Sequence, residues 1–196
     1  MPVSKTRKLY CYVDVTGQDT LGRVYIVVVI ISVYPRERLY ELLERAESDS
    51  GKGKLKWHKN NTHRRDAYIE KTLHRKIPVR IYYQMFEGPE LSYELTTIQA
   101  TSSAIQTYVH SEKIGQYKAT VIIDGLPRSQ QRQVGKLLRS SGVRTKSVRG
   151  ERDETNPAIR LADAVAGLLR QSYEGNSHFK IVQLDLARRG VLEELP

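Results

Sequence analysis

Cysteine is nearly missing. Cys11 is the single one among 196 residues, which excludes a disulfide framework and a cysteine-rich zinc site. The five histidines show no zinc-ligand spacing either. No apolar run approaches the roughly 18 residues that a membrane span requires; the longest, 24–33, has the length of a strand. There is no internal repeat and no low-complexity stretch. Residues 1–8 carry basic side chains but no apolar signal core follows them, so the expected location is cytoplasmic. Acid is scarce as well: Asp and Glu number 22 against 32 Lys and Arg, a net charge of +10. That balance makes a polyanion the expected partner, with a merely soluble basic protein as the ordinary alternative.

What is present suffices for one domain over 1–196, since domains usually run to roughly 100–200 residues. Apolar, β-branched runs predict strands over 8–15 and 23–33, the second apolar on both faces and so covered by helices on both sides. Pro35 opens a helix to about residue 48. After a loop, a polar helix covers 60–75, and together these form an insertion over about 35–76. Alternation of Val79, Ile81, Tyr83 and Met85 predicts a strand over 78–87. A helix over 91–111 turns Leu91, Leu95, Ile98, Ile105 and Val109 inward. A strand at 118–124, a helix at 128–140 and a strand at 143–148 follow. Asn156 as N-cap and Pro157 in the first turn open a last helix to about 173. The tail, about 175–196, offers a further strand at 180–184. This order describes a layered α/β domain.

Three aspartates sit where carboxylates are costly. Asp14 lies inside an apolar strand, Asp124 ends another after Val121-Ile122-Ile123, and Asp163 interrupts a run of small apolar residues on the last helix. A carboxylate buried alone tends to protonate; pairing, backbone N–H groups or a metal keeps it charged. Ordinary alternatives exist for each: a turn at Asp124-Gly125, an arginine partner for Asp14, a half-exposed helical position for Asp163. In open α/β sheets, ligands bind beyond the carboxyl ends of strands. If the first and fourth strands are neighbours, Asp14 and Asp124 converge there, and a helix crossing the sheet brings in Asp163. Oxygen donors at this density suit Mg²⁺ or Mn²⁺, and two such ions can activate water against a phosphodiester.

Four segments come in a telling order: Tyr12-Val13-Asp14-Val15-Thr16-Gly17, Leu55-Lys56-Trp57-His58-Lys59, Val121-Ile122-Ile123-Asp124, and Ile159-Arg160-Leu161-Ala162-Asp163-Ala164-Val165-Ala166-Gly167. Together they resemble the bacterial domain-of-unknown-function family 3800, placed in the ribonuclease H-like superfamily. The resemblance implies a mixed five-stranded sheet flanked by helices, here with a helical insertion after the second strand. It implies catalytic, metal-binding carboxylates at Asp14, Asp124 and Asp163, with Glu94, early in the helix before the fourth strand, as the match to a further acid. Glu94 is equally at home as an acid in a first helical turn. Many members carry an acid just before the lysine loop, where this chain has Lys54-Leu55-Lys56. Asp153 is a candidate for an outer contact or a fourth ligand, or a solvated loop acid.

Basic residues group in two places. Between Arg128 and Gly150 there is no acid. Arg128, Arg132, Lys136 and Arg139 recur on one helical face, and Arg144, Lys146 and Arg149 read as one side of the next strand; both stripes suit phosphate contact. A second cluster holds Lys52, Lys54, Lys56, Lys59, Arg64 and Arg65 around Trp57 and His58. Trp57 could stack on a base or plug the loop onto the core, and His58 could meet phosphate. The expectation is a divalent-metal-dependent nuclease acting on DNA or RNA with Mg²⁺ or Mn²⁺, two ions in all. The alternatives are an inactive nucleic-acid-binding module and an interaction subunit of a mobile-element or defence system.

Overall fold

The structure, a computed structural model, describes residues 6–20, 23–74, 77–88 and 92–196; residues 1–5, Arg75 and Leu91, named above, lie outside them. The centre of the fold follows from β2 (Tyr25–Ser32), eight consecutive buried residues. A strand of Val and Ile with no exposed face needs a neighbour on each edge and a layer on each side. Its neighbours are β1 (Arg7–Thr16) and β3 (Arg80–Phe86), both antiparallel to it. Beyond β1 come β4 (Tyr117–Asp124) and then β5 (Thr145–Glu151), paired in parallel. Beyond β3 comes β6 (Leu192–Glu194), parallel to β3. The sheet is therefore mixed, in the order β5-β4-β1-β2-β3-β6.

Two helical layers close the sheet. The face bearing Tyr12, Ile26, Val28, Ile30 and Ile122 packs against α1 (Arg36–Asp49), α2 (Thr62–Ile69), α5 (Pro157–Tyr173) and α6 (Ser177–Arg188). The opposite face, with Cys11, Val13, Val27, Val29 and Val121, packs against α3 (Tyr93–Ser111) and α4 (Gln131–Ser140). The helical insertion lies between β2 and β3, as expected: α1, a 3₁₀ turn at Trp57–Lys59, α2 and a π turn at Glu70–His74. Asn156 caps α5, its side chain accepting from the N–H groups of Ala158 at 2.9 Å and Ile159 at 3.2 Å, with Pro157 in the first turn. No helix among the described residues is long and apolar enough to cross a membrane.

Four expectations are corrected. The tail strand at 180–184 is a helix: α6 is capped by Asn176, and its buried Phe179 and Leu186 stand two turns apart, a helical spacing that a five-residue window hides. The sixth strand, β6, comes after it, so among the described residues the sheet has six strands and not five. In α3, Leu95 is 58 % exposed, because the buried face runs through Thr97, Ile98, Thr101, Ala104, Ile105 and Tyr108. The basic helix starts at Gln131 and leaves Arg128 in the turn before it.

Candidate functional site

β1 and β4 are parallel neighbours, and their last register pair is Val13 with Ile123. Asp14 and Asp124 each follow one residue later, so both stand at the carboxyl ends of adjacent strands. Alternation puts both on the side of Tyr12 and Ile122, the α5 layer. Gly17, with φ of 96°, turns the chain away there; a Cβ on it would meet the Val24 carbonyl oxygen at 2.1 Å. Asp163 comes from α5, which packs across β1 and β2. The three stand near enough that the charges of both Asp163 and Asp124 act on Asp14.

The electrostatics are those of crowded acids. Asp14 is 8 % exposed. Burial first, then the charges of Asp163 and Asp124, push its carboxyl well above the ordinary range; the Val15 N–H and Lys56 act against this. Asp124 is raised by burial and by Asp153, while Lys56 and the Asp153 N–H pull it down. Asp163 is raised by burial, offset by the Trp57 N–H, which it accepts at 2.8 Å, and by Lys52 and Lys56. Glu151, the β5 partner of Asp124, shows the contrast of a neutralised acid: Arg36 holds it at 2.6 Å and Asn156 donates to it at 2.9 Å.

Asp153 joins the cluster. It is 6 % exposed, and its carboxylate lies 3.4 Å from the Lys56 ammonium. Burial pulls Lys56 down, but Asp153, Asp124 and Asp163 outweigh this and hold it above the ordinary lysine range. Glu94 belongs to the other layer. It opens α3, is exposed, accepts from Gln133 Nε2 at 3.4 Å, and shares with Asp124 a hollow of about 240 Å³. No group of three or more His, Cys, Asp or Glu side chains among the described residues is drawn together closely enough to enclose a metal ion.

Trp57 is not available for a base. It is 3 % exposed, its ring lies on Gly167 and edge-on to Phe179 at 5.6 Å, and its indole N–H donates to Gln171 at 3.0 Å. A large apolar ring gains more from that burial than from a place in a charged loop. Lys52 leaves the basic cluster too: it is buried, 3.9 Å from Glu47 and over the Tyr68 ring. Lys56, His58 and Lys59 stay exposed. Beside them a cleft of about 280 Å³ opens between Asp14, Asp163, Thr16, His58, Arg65 and Arg170.

The expected basic residues Arg128, Arg132, Lys136, Arg139, Arg144, Lys146 and Arg149 are all exposed. The strand stripe, however, is not one side. An irregularity opposite Ala119 and Thr120 makes Lys146 an extra residue, and Arg149 pairs with Ile122 on the α5 side. Arg144 folds back onto the Gly115 carbonyl and Gln116 at the start of β4, the opposite end from Asp124. Arg139 donates to Thr145 at 2.9 Å.

Sequence reading gave no role to Arg160 and Glu47. Arg160 is 1 % exposed and bonds both Glu47 oxygens, at 2.6 and 2.8 Å, and its third nitrogen reaches the Asp153 carbonyl at 2.6 Å. Thus α5 holds Asp163 directly and, one turn earlier, anchors the segment carrying Asp153. The signal in the sequence was an arginine inside the apolar run 158–162.

Among solved structures, the chain is similar to ribonuclease H2 of Pyrococcus horikoshii, with 14% identity, TM-score 0.56, and coverage of 84% of this chain and 72% of that one. It also matches ribonuclease HII of Archaeoglobus fulgidus in its complex with PCNA, at 18% identity and TM-score 0.46, covering 85% and 73%. No family model and no curated protein matches the chain. The fold, an α/β sheet with helices on both faces, is ribonuclease H-like.

Proposed function

We propose that this chain is a divalent-metal-dependent nuclease, hydrolysing phosphodiester bonds of DNA or RNA at the carboxyl ends of β1 and β4. The observation that carries the reading is the placement of Asp14 and Asp124 on neighbouring parallel strands, with Asp163 on the helix that crosses them, near enough that the charges of Asp163 and Asp124 raise the proton affinity of the buried Asp14. Held without a cation, such a group costs free energy; its hard oxygen donors fit Mg²⁺ or Mn²⁺. Bound there, two ions would supply water activation and stabilisation of the leaving oxygen. The ribonuclease H-like fold supports the same reading, as do the four segments that resemble family 3800.

The chain's own residues have distinct tasks in this account. Asp14, Asp124 and Asp163 would hold the ions, and the Trp57 N–H fixes the Asp163 carboxylate. Asp153 takes the place of a fourth acid beside Asp124, and Glu94 flanks Asp124 from the α3 side. Lys56, His58 and Lys59 line the rim, where a phosphate arrives. Arg128, Arg132, Lys136, Arg149 and Lys146 hold the backbone of the nucleic acid without reading its sequence.

A second reading, a nucleic-acid-binding module without turnover, is favoured by the Lys56 ammonium standing among the acids. One assay separates the two. Single-stranded, duplex, hybrid and branched nucleic acids are incubated with the protein in Mg²⁺ or Mn²⁺. The nuclease reading expects metal-dependent cleavage of at least one of them, lost in Asp14→Asn and Asp163→Asn. Salt-sensitive binding with no cleavage of any substrate overturns it in favour of the binding module.

A further inference from the structure

Lys56 stands in an unusual place for a phosphate-binding lysine. It caps the 3₁₀ turn Trp57–Lys59, and its neighbour Trp57 is locked down by ring burial and by its N–H bond to Asp163. The turn thus holds the Lys56 backbone beside the anchored Trp57, while the Lys56 side chain is 45 % exposed. Its ammonium lies 3.4 Å from Asp153, and its charge also reaches Asp124, Asp163 and, more weakly than burial and the neighbouring acids, Asp14. Arg160 and Glu47 hold the Asp153 end of this contact from below, with the Asp153 carbonyl at 2.6 Å from Arg160.

We propose that Lys56 is the site's own counter-cation, holding the acid cluster together without metal and competing with a divalent ion for the same carboxylates. The inference rests on the reading of this cluster as a metal site. Two positive charges cannot share acids that close without mutual cost. A divalent ion held by these acids would therefore displace the Lys56 ammonium from them, and the exposed Lys56 side chain would be left to meet a phosphate. Lys52 also acts on Asp163, but it is buried between Glu47 and the Tyr68 ring and so cannot exchange places with an incoming ion.

The test is Mn²⁺ affinity and metal-free melting temperature for wild type, Lys56→Gln and Lys54→Gln. Lys54, exposed and two residues earlier, removes the same charge from the same loop. Lys56→Gln should bind Mn²⁺ more tightly by roughly fivefold or more, the low end of ordinary coupling between sites, while melting lower than wild type without metal. Lys54→Gln should leave both values close to wild type. A merely structural lysine would lower stability and metal affinity together. If wild type binds Mn²⁺ and Lys56→Gln binds it equally or more weakly, the counter-cation proposal is overturned and the metal reading stands. If wild type and both variants bind no Mn²⁺, the metal reading fails and the proposal with it.

Discussion

Asp163 accepts the backbone N–H of Trp57 at 2.8 Å, while the ring of that tryptophan lies on Gly167, one helical turn further along the same helix. Packing and site chemistry are thus joined at one residue. Gly167→Ala tests the joint: a Cβ there would meet the ring at 2.2 Å, with no room to give in a close-packed layer. The variant should lose about 1–3 kcal/mol in urea unfolding and bind Mn²⁺ more weakly than wild type. Unchanged stability would contradict the packing described for Trp57.

Arg160 and Glu47 form a buried, doubly hydrogen-bonded pair. Removing one partner strands the other charge, so Arg160→Met should cost about 3–5 kcal/mol. The double variant Glu47→Met with Arg160→Met should recover much of that loss in stability. Its Mn²⁺ affinity should stay below wild type, because the Asp153 carbonyl has lost its donor. Full recovery of both would show that Arg160 serves packing alone.

The crowding of Asp14 has a consequence for pH. Burial, then Asp163 and Asp124, raise its folded-state pKa above the ordinary value of about 3.9. At this group the folded, metal-free protein binds more protons than the unfolded chain, so the stability Asp14 contributes is full below about pH 4 and is lost as pH rises through its folded pKa. Asp124 and Asp163 shift in the same direction. Asp14→Asn removes the largest part of this loss. Without metal at about pH 7 it should melt at or above the wild-type temperature, with a flatter dependence above about pH 4. A variant clearly less stable than wild type at that pH would mean that Asp14 is held by a structural ion pair.

The exposed face of α4 should act as a phosphate rail. Arg132→Ala and Lys136→Ala are each expected to weaken nucleic-acid binding without regard to sequence and to reduce the salt slope by about one. Arg144→Ala should change neither, since Arg144 is engaged at the far end of β4. Fluorescence anisotropy at several salt concentrations measures this, and equal effects from all three would remove α4 from the interface.

Much of this was legible in the chain itself. β2 announces its central place by an unbroken Val and Ile run, α5 by Asn156-Pro157, and the three aspartates by standing inside apolar context. Other parts depend on distance in the fold. Trp57 looks like a loop aromatic until Gly167, 110 positions later, offers the flat surface it needs. Lys52 and Lys56 look alike in sequence, yet one is buried against Glu47 and the other stands among the acids. The α6 region misleads because Phe179 and Leu186 lie two turns apart, outside any short strand-length window. Asp153 is anchored by Arg160 through its backbone carbonyl, a bond between backbone and side chain that no residue pattern encodes.

The central claim is that Asp14, Asp124 and Asp163 form a site for a divalent cation. Melting temperature against Mn²⁺ concentration, for wild type beside Asp124→Asn, tests it most directly. Binding to the folded state alone raises stability with ligand concentration, so wild type should show a saturable rise and Asp124→Asn little or none. An equal rise in both proteins, or no rise in wild type, would contradict the account.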